Sequence, residues 1–388
     1  MAEKPAVEVD HPPGPLPPSL LPHPLLPVVS GHEEDGHPDL GGHVLQVRPG
    51  QVPRRQDQVK GGKVFGKAGG VDVGVDLVGE KEEARASPSF CQNGGVKAYS
   101  TAHLSLDLPE GHPFPLYKYR GVAEALKGLL PVLPAPEAPR EALSLAHDPA
   151  YLERLFREGL SRAESLRLGL PFTPSLLRRA LHAAGGTLLA AEDALREGLG
   201  LNLAGGTHHA FPDRAEGYSL FNDVAVAVRW LRAGGFSGRV LVVDLDAHQG
   251  NGTAVFFRGD PSVFTLSLHG ERNYPLKKEE SDLDVGLPDG VGDEAYLRAL
   301  DEALERTQSF RPDLVFYNAG VDVLRGDRFG RLALSLEGVR QRDQRVFALV
   351  KRLGVPLVVV MGGGYNRDPR LTVEAHAGTY RLALSSLA

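Results

Sequence analysis

Residues 239–252 constrain this chain more than any other stretch. Arg239-Val-Leu-Val-Val-Asp-Leu-Asp-Ala-His-Gln-Gly-Asn-Gly252 runs from a short apolar segment straight into alternating polar residues. Val240 to Val243 reads as a strand of a parallel sheet, buried on both faces. Asp244, Asp246 and His248 follow at a spacing of two, which on an extended chain sends side chains to one side. They converge beyond the strand's carboxyl end, where open α/β sheets bind their ligands. Gly250 and Gly252 let the backbone turn sharply beside that point. An acid-x-acid pair at a strand end also serves as a helix cap or turn, so the rest of the chain has to decide its meaning.

Composition narrows the class. A formal net charge of -6 and the lack of a long basic stripe give no nucleic-acid surface. No apolar run approaches the ~20 residues of a membrane helix. A single cysteine, Cys91, excludes both a disulfide framework and a cysteine-rich metal cluster. A soluble cytoplasmic protein is the expectation, and oligomeric state stays open.

Residues 1–95 differ from the remainder. They carry 13 of the 30 prolines and 15 of the 46 glycines, with neither Trp nor Tyr, so they lack the means to build a core. His32, Glu33, Glu34, Asp35 and His37 fall here and read as a solvated turn rather than a metal cluster. The expectation is a disordered or spurious extension, with the true start at Val96, a residue that an alternative start codon can encode. Residues 96–388 then form one catalytic domain.

From Val96 on, helices and strands alternate. Strands are expected at 97–101, 201–205, 240–243, 263–268, 314–319 and 355–361. Helices are expected at 119–130, 149–160, 174–198, 222–233, 294–308, 336–353 and 371–387. Thr173 and Pro174 supply an N-cap and first position for the third of these. The alternation predicts an α/β fold, a single three-layer open parallel sheet with helices on both faces.

Polar residues concentrate at the carboxyl ends of those strands: His208 and His209, then Asp244, Asp246 and His248, then Asp322, then Tyr365 after Gly362-Gly-Gly. Each alone has an ordinary structural explanation as loop, cap or packed ring. Together they make one coherent site. Asp246, His248 and Asp322 offer three N/O ligands, the number catalytic zinc takes while leaving a position for water. Fe(II) or Mn(II) accepts the same set. The cation polarises a carbonyl and acidifies water. One His takes the proton, a second serves the leaving group, and Tyr365 donates to the oxyanion. This is a kit for hydrolysing an amide.

With these motifs on the page, the chain resembles the zinc-dependent histone deacetylase superfamily, which includes acetoin-utilisation proteins and acetylpolyamine amidohydrolases. The resemblance covers about 97–388. It rests on Gly205-Gly-Thr-His-His-Ala210, Gly217-Tyr-Ser-Leu-Phe-Asn-Asp223, Val243-Asp-Leu-Asp-Ala-His-Gln-Gly-Asn-Gly252, Asn318-Ala-Gly-Val-Asp322 and Gly362-Gly-Gly-Tyr365. The stretch Ser267 to Asp284 is most similar to the class IV branch and its bacterial relatives.

The resemblance implies the arginase/deacetylase fold, Asp246, His248 and Asp322 as metal ligands, His209 as general base and His208 as its partner at the leaving amine. It implies Tyr365 as oxyanion donor and Asp244 as the acid orienting His208. Asn251 stands where many class I members carry Asp, so His209 faces a neutral partner and is expected to charge less readily. Gly217 and Tyr218 match one wall of the acyl-lysine tunnel. The Asn273–Tyr274 region is expected on the opposite wall, and Gly363 is expected to approach the substrate. A structural potassium ion near Asp244 and Ser267 is implied as well. The resemblance implies an acylated lysine or acylated amine as substrate.

An arginase-like ureohydrolase is the nearest rival. It needs two metals about 3.5 Å apart with bridging carboxylates, and beyond Asp322 the next acid is Asp327. A non-enzymatic reader of acylated ligands has no use for His208, His209 and Tyr365 together. An acetylpolyamine, acetoin-type or other small-amide substrate uses the same chemistry. For the start at Val96, mass spectrometry of the native protein is expected to return no peptide from within residues 1–90; such peptides refute it.

Overall fold

The computed structural model describes residues 95–388. The expectations for residues 1–94, including the cluster from His32 to His37, lie outside the described residues. In chain order the elements are β1 (Ala98–Ser100), α1 (Leu116–Ala125), β2 (Val132–Pro134), α2 (Arg140–Ser144), α3 (Pro149–Arg157), α4 (Arg162–Leu168), α5 (Pro174–Glu197) and β3 (Leu199–Asn202). Then come α6 (Asp223–Ala233), β4 (Val240–Asp244), α7 (Asn251–Phe257), β5 (Val263–Gly270), β6 (Leu283–Leu287) and α8 (Asp293–Thr307). The last are β7 (Leu314–Asn318), α9 (Leu336–Leu353), β8 (Leu357–Val360) and α10 (Pro369–Leu387).

The eight strands form one sheet in the order β2-β1-β3-β8-β7-β4-β5-β6. Every pairing is parallel. The expected open parallel sheet is therefore present. The reason shows in β4, where successive side chains enter opposite cores. Leu241 and Val243 join residues of α8, α9 and α10, while Val240 and Val242 join residues of α5 and α6. A strand covered on both faces has no solvated side, which is why it reads as a continuous apolar run. A third cluster packs α2 to α5 over Phe221.

Helix ends follow local chemistry. Thr173 accepts the amide of Leu176, Pro174 opens α5, and Gly198 closes it in the left-handed conformation. The first helix begins and ends earlier than its amphipathic pattern predicts, at Leu116–Ala125 rather than 119–130. Five other elements carried too little pattern to be expected, among them α2, which spans five residues. β2 and β6 are sheet edges with partly exposed residues, so they lack an apolar run. α4 and α7 span only seven residues each. Among the described residues no helix is long and apolar enough to cross a membrane.

One buried ionic group ties the sheet to the loops at its carboxyl edge. Arg342, fully buried on α9, donates to the carbonyls of Leu245 and Gly320, just beyond β4 and β7. Its Nε donates to Asp343 at 2.9 Å, and Asp343 also accepts from Tyr317 and Thr379. Removing one partner strands a buried charge, which typically costs about 3–5 kcal/mol, whereas replacing both by apolar groups often costs little. Arg342→Met is therefore expected to lose stability of that order in urea unfolding, and Arg342→Met/Asp343→Leu to lose markedly less. Equal losses in the two variants refute the pairing.

Candidate active site

The sheet order explains how residues scattered from 208 to 365 meet. β3, β8, β7 and β4 are consecutive neighbours in the sheet. The histidine pair follows β3, Tyr365 follows β8, Asp322 follows β7, and Asp246 with His248 follows β4. All therefore leave the same edge. Beside them lies a cavity of about 610 Å³, lined by His208, His209, Asp246, His248 and Tyr365, among others.

At its floor, Asp246, His248 and Asp322 each offer one ligand atom, and these atoms lie within 4.8 Å of one another. His248 Nδ1 is 3.0 Å from both Asp246 Oδ1 and Asp322 Oδ2. The carboxylates are held from behind. The amide of Gly363 donates to Asp246 Oδ2 at 2.7 Å, and the amide of Ala247 donates to Asp322 Oδ1 at 2.8 Å. A Cβ on Gly363 would stand 2.1 Å from Asp322 Oδ2, and one on Gly320 would stand 2.2 Å from Asp246 Oδ2. Only glycine admits this approach.

The cluster is short of positive charge. Burial and the neighbouring Asp246 carboxylate push Asp322 up to about 7. Burial alone would lower His248, yet the Asp322 and Asp246 carboxylates overcome it and hold the ring at about 10. Two buried acids facing one imidazole form a donor set that could hold a divalent cation, which would supply the missing charge. Asp327 is not a further ligand: it accepts the amides of Phe329, Gly330 and Tyr365. Asp327 thus holds the Tyr365 backbone instead.

The two histidines have unlike surroundings. His208 Nδ1 is 2.7 Å from Asp244 Oδ2, and the Asn318 amide donates to Asp244 Oδ1 at 3.1 Å. Burial presses His208 down, but the Asp244 and Asp246 carboxylates outweigh it and raise it to about 9. His209 Nδ1 is 2.7 Å from Asn251 Oδ1. Burial, then the charges of His208 and His248, drives His209 well below its ordinary value. The Nε2 atoms of the two rings are 3.1 Å apart. Burial and the Asp322 and Asp246 charges push the Tyr365 hydroxyl well above its ordinary value, which keeps it protonated.

Each expected site residue falls in or directly behind this cavity. His208, His209, Tyr365, Gly217, Tyr218, Tyr274, Gly363, Asp246 and His248 line it, while Asp244, Asn251 and Asp322 sit behind, buried. Asn273 and Tyr274, expected on the second wall, both line the cavity. Tyr274 lies edge-on to His209, at 5.0 Å between ring centroids. The ring across from Tyr218 is Phe329, which also packs on Tyr365 at 5.0 Å. Phe329 sits in an irregular loop, and nothing local marks it.

Lys118 and Arg179 also escape a reading of the sequence. Lys118 is buried, donates to the carbonyl of Gly362 at 2.8 Å and sits 5.3 Å from the Tyr365 ring centre. The Arg179 guanidinium lies 3.9 Å over Tyr119. On helical patterns both read as ordinary polar positions.

The loop carrying the histidine pair is anchored at both ends. Asp223, fully buried, accepts the amides of Gly206 and Thr207 and the Thr187 hydroxyl. His147 accepts the Asn222 amide at Nε2 (3.1 Å), so its Nδ1–H donates to Phe211 O at 3.1 Å.

The chain is similar to known proteins in sequence and fold. The histone deacetylase domain model matches residues 112–378. An uncharacterized protein of Picosynechococcus sp. is 42% identical over 286 residues, covering 71% of this chain and 94% of that protein. Histone deacetylase 2 of Arabidopsis thaliana is 34% identical over 272 residues, 66% of this chain and 70% of its own. The crystal structure of an HDAC homologue from Aquifex aeolicus aligns with TM-score 0.62 and 25% identity, over 75% of this chain and 84% of that one.

The anchoring histidine generates a pH prediction. Burial drives His147 down to about 4, against the pull of the Pro212 and Phe211 carbonyls. An unfolded histidine titrates near 6.5, so the unfolded chain binds the proton first. The stability His147 contributes is complete above about pH 6.5 and is lost as pH falls toward 4. The urea midpoint is expected to drop across that interval, and to drop less in His147→Gln. An identical pH slope in the variant refutes this.

Proposed function

The chain belongs to the histone deacetylase family, and from that premise we propose a metal-dependent amidohydrolase that removes acyl groups from lysine side chains or related amines. The carrying observation is that His208, His209 and Tyr365 open on one cavity beside the Asp246–His248–Asp322 cluster.

A divalent cation held by Asp246, His248 and Asp322 polarises the acyl carbonyl and acidifies water when bound, with zinc the proposed ion and Fe(II) or Mn(II) compatible with the same donors. His209, held neutral, takes the proton of the attacking water as the new C–O bond forms. The Tyr365 hydroxyl donates to the oxygen that gains negative charge. His208, held charged by Asp244, gives a proton to the leaving nitrogen as the C–N bond breaks, and the products are a carboxylate and an amine. Asp244 on β4 is paired in register with Ser267 on β5, which supports the further proposal of a potassium ion near that pair.

A lysine-type substrate is favoured over an acetylpolyamine by the charge around the cavity. Arg167, Arg272, Arg328 and Arg331 are exposed and line it, and among the described residues Asp246 is the only lining acid. A polycation meets like charge there. Neutral and acidic acetyl-lysine peptides are expected to be cleaved faster than basic ones or acetylpolyamines, with the difference shrinking as salt rises. Elemental analysis is expected to give one divalent ion per chain; two manganese ions would support the ureohydrolase alternative.

Loss of one oxyanion donor typically costs about 100- to 1000-fold in kcat. Tyr365→Phe is expected to show a loss of that order with KM little changed. Wild-type turnover by Tyr365→Phe, or no turnover of any acylated amine by the metal-loaded wild type, overturns the proposal.

A further inference from the structure

Glu216 has no role in the chemistry described so far, yet it is the nearest carboxylate along the hydrogen-bond chain behind His209. Its amide donates to Ser219 O at 3.1 Å, and the Ser219 amide donates to Glu216 O at 2.9 Å, closing a tight turn. Gly217 (φ 50°) and Tyr218 (φ 65°) occupy the two central positions. Positive φ at both is the signature of a type I′ turn. The turn abuts the imidazole, since a Cβ on Gly217 would lie 2.5 Å from His209 Cδ2. One backbone device therefore sets Tyr218 on the cavity wall and fixes Glu216 behind the histidine.

The Glu216 carboxylate is well occupied there. Oε1 accepts from Asn251 Nδ2 at 3.0 Å and from the Tyr274 hydroxyl at 2.6 Å, and Oε2 faces Arg214 Nε at 3.5 Å. This matters for Asn251, because an amide can turn either its oxygen or its NH2 toward a neighbour. An ionised carboxylate only accepts, so Glu216 can bond only the NH2. The Asn251 oxygen is thereby turned to His209 Nδ1, at 2.7 Å. That oxygen also only accepts, so His209 carries its proton on Nδ1 and its Nε2 is unprotonated, 3.1 Å from His208 Nε2.

We propose that Glu216 is a positioning residue that fixes the tautomer of His209 through Asn251, placing one residue further out the carboxylate that Asn251 lacks. This rests on the reading of His209 as general base. The proton taken from water goes to Nε2, the Nδ1–H stays on the Asn251 oxygen, and the Glu216 charge stabilises the imidazolium through the polarised amide. Tyr274 shares the same carboxylate oxygen, so a residue lining the cavity and the base are held by one acceptor.

The test is a double-mutant cycle with a spectroscopic arm. Glu216→Gln keeps an acceptor but loses the charge, and is expected to lower kcat about tenfold with KM within about twofold. Asn251→Asp alone sets two carboxylates against each other and is expected to lower kcat as well. In the Glu216→Gln background the same Asn251→Asp change is expected to raise kcat, because the carboxylate then sits directly on His209 and the substituted side-chain amide behind it can donate to it. A purely structural role for Glu216 gives no such reversal of sign. An Asn251→Asp effect of the same direction in both backgrounds, or a Glu216→Gln enzyme at wild-type kcat, overturns the proposal.

Imidazole 15N shifts supply the second arm and need no turnover. His209 is expected as the Nδ1–H form in the wild type and as a mixture in Glu216→Leu. An unchanged Nδ1–H form in Glu216→Leu overturns the positioning role. A wild type that hydrolyses no acylated amine sinks the proposed function instead, and leaves the tautomer measurement to decide this inference.

Discussion

Asp246 and Asp322 bring two carboxylates to one point where neither is more than 1% exposed. Removing a charge from water costs several kcal/mol even after relaxation, so two together set the terms for everything around them. Part of the cost is offset by backbone amides, from Gly363 to Asp246 and from Ala247 to Asp322. Those amides reach the oxygens because Gly320 and Gly363 have no side chain to hold the loops apart. The rest is left for His248 and the cation that the donor set implies.

Holding such a cluster takes a rigid frame, and the molecule supplies it from beneath. The four consecutive strands β3, β8, β7 and β4 are buried on both faces, so they can neither slip register nor splay without exposing apolar surface. Arg342 then fixes the carbonyls of Leu245 and Gly320, one residue before Asp246 and two before Asp322. Asp327 does the same for the Tyr365 loop, and Asp223 for the histidine loop. A buried charged side chain therefore stands under each of these four segments at the carboxyl ends of β4, β7, β8 and β3. Reacting groups held this way keep their geometry without moving at the moment of reaction.

Unlike environments set the two adjacent histidines apart. Both are buried to the same degree, 6% exposed, so burial cannot be what separates them. The difference lies in their neighbours: the Asp244 and Asp246 carboxylates raise His208, while His209 faces the Asn251 amide and the charges of His208 and His248. One ring is held charged and the other neutral, which is the division an acid–base pair requires.

The sequence alone determined the strand–helix alternation, the parallel sheet and the residue types at the strand ends. Those follow from apolar periodicity, and a strand buried on both faces leaves an unmistakable run such as Val240–Val243. It also determined that Asn251 is neutral, since residue identity needs no geometry. Only the tertiary structure decided which strands are neighbours, and hence that His209, Asp246 and Tyr365 share one cavity with Asp322 buried behind it. Pairing between positions over a hundred residues apart leaves no local trace in a single sequence. For the same reason β6, Phe329, Lys118 and Glu216 were not legible: an edge strand, a loop aromatic and two charged residues look ordinary along the chain. Their meaning comes from what the fold sets beside them. Glu216 lies 35 residues from Asn251, and only the turn at Gly217–Tyr218 brings the two together.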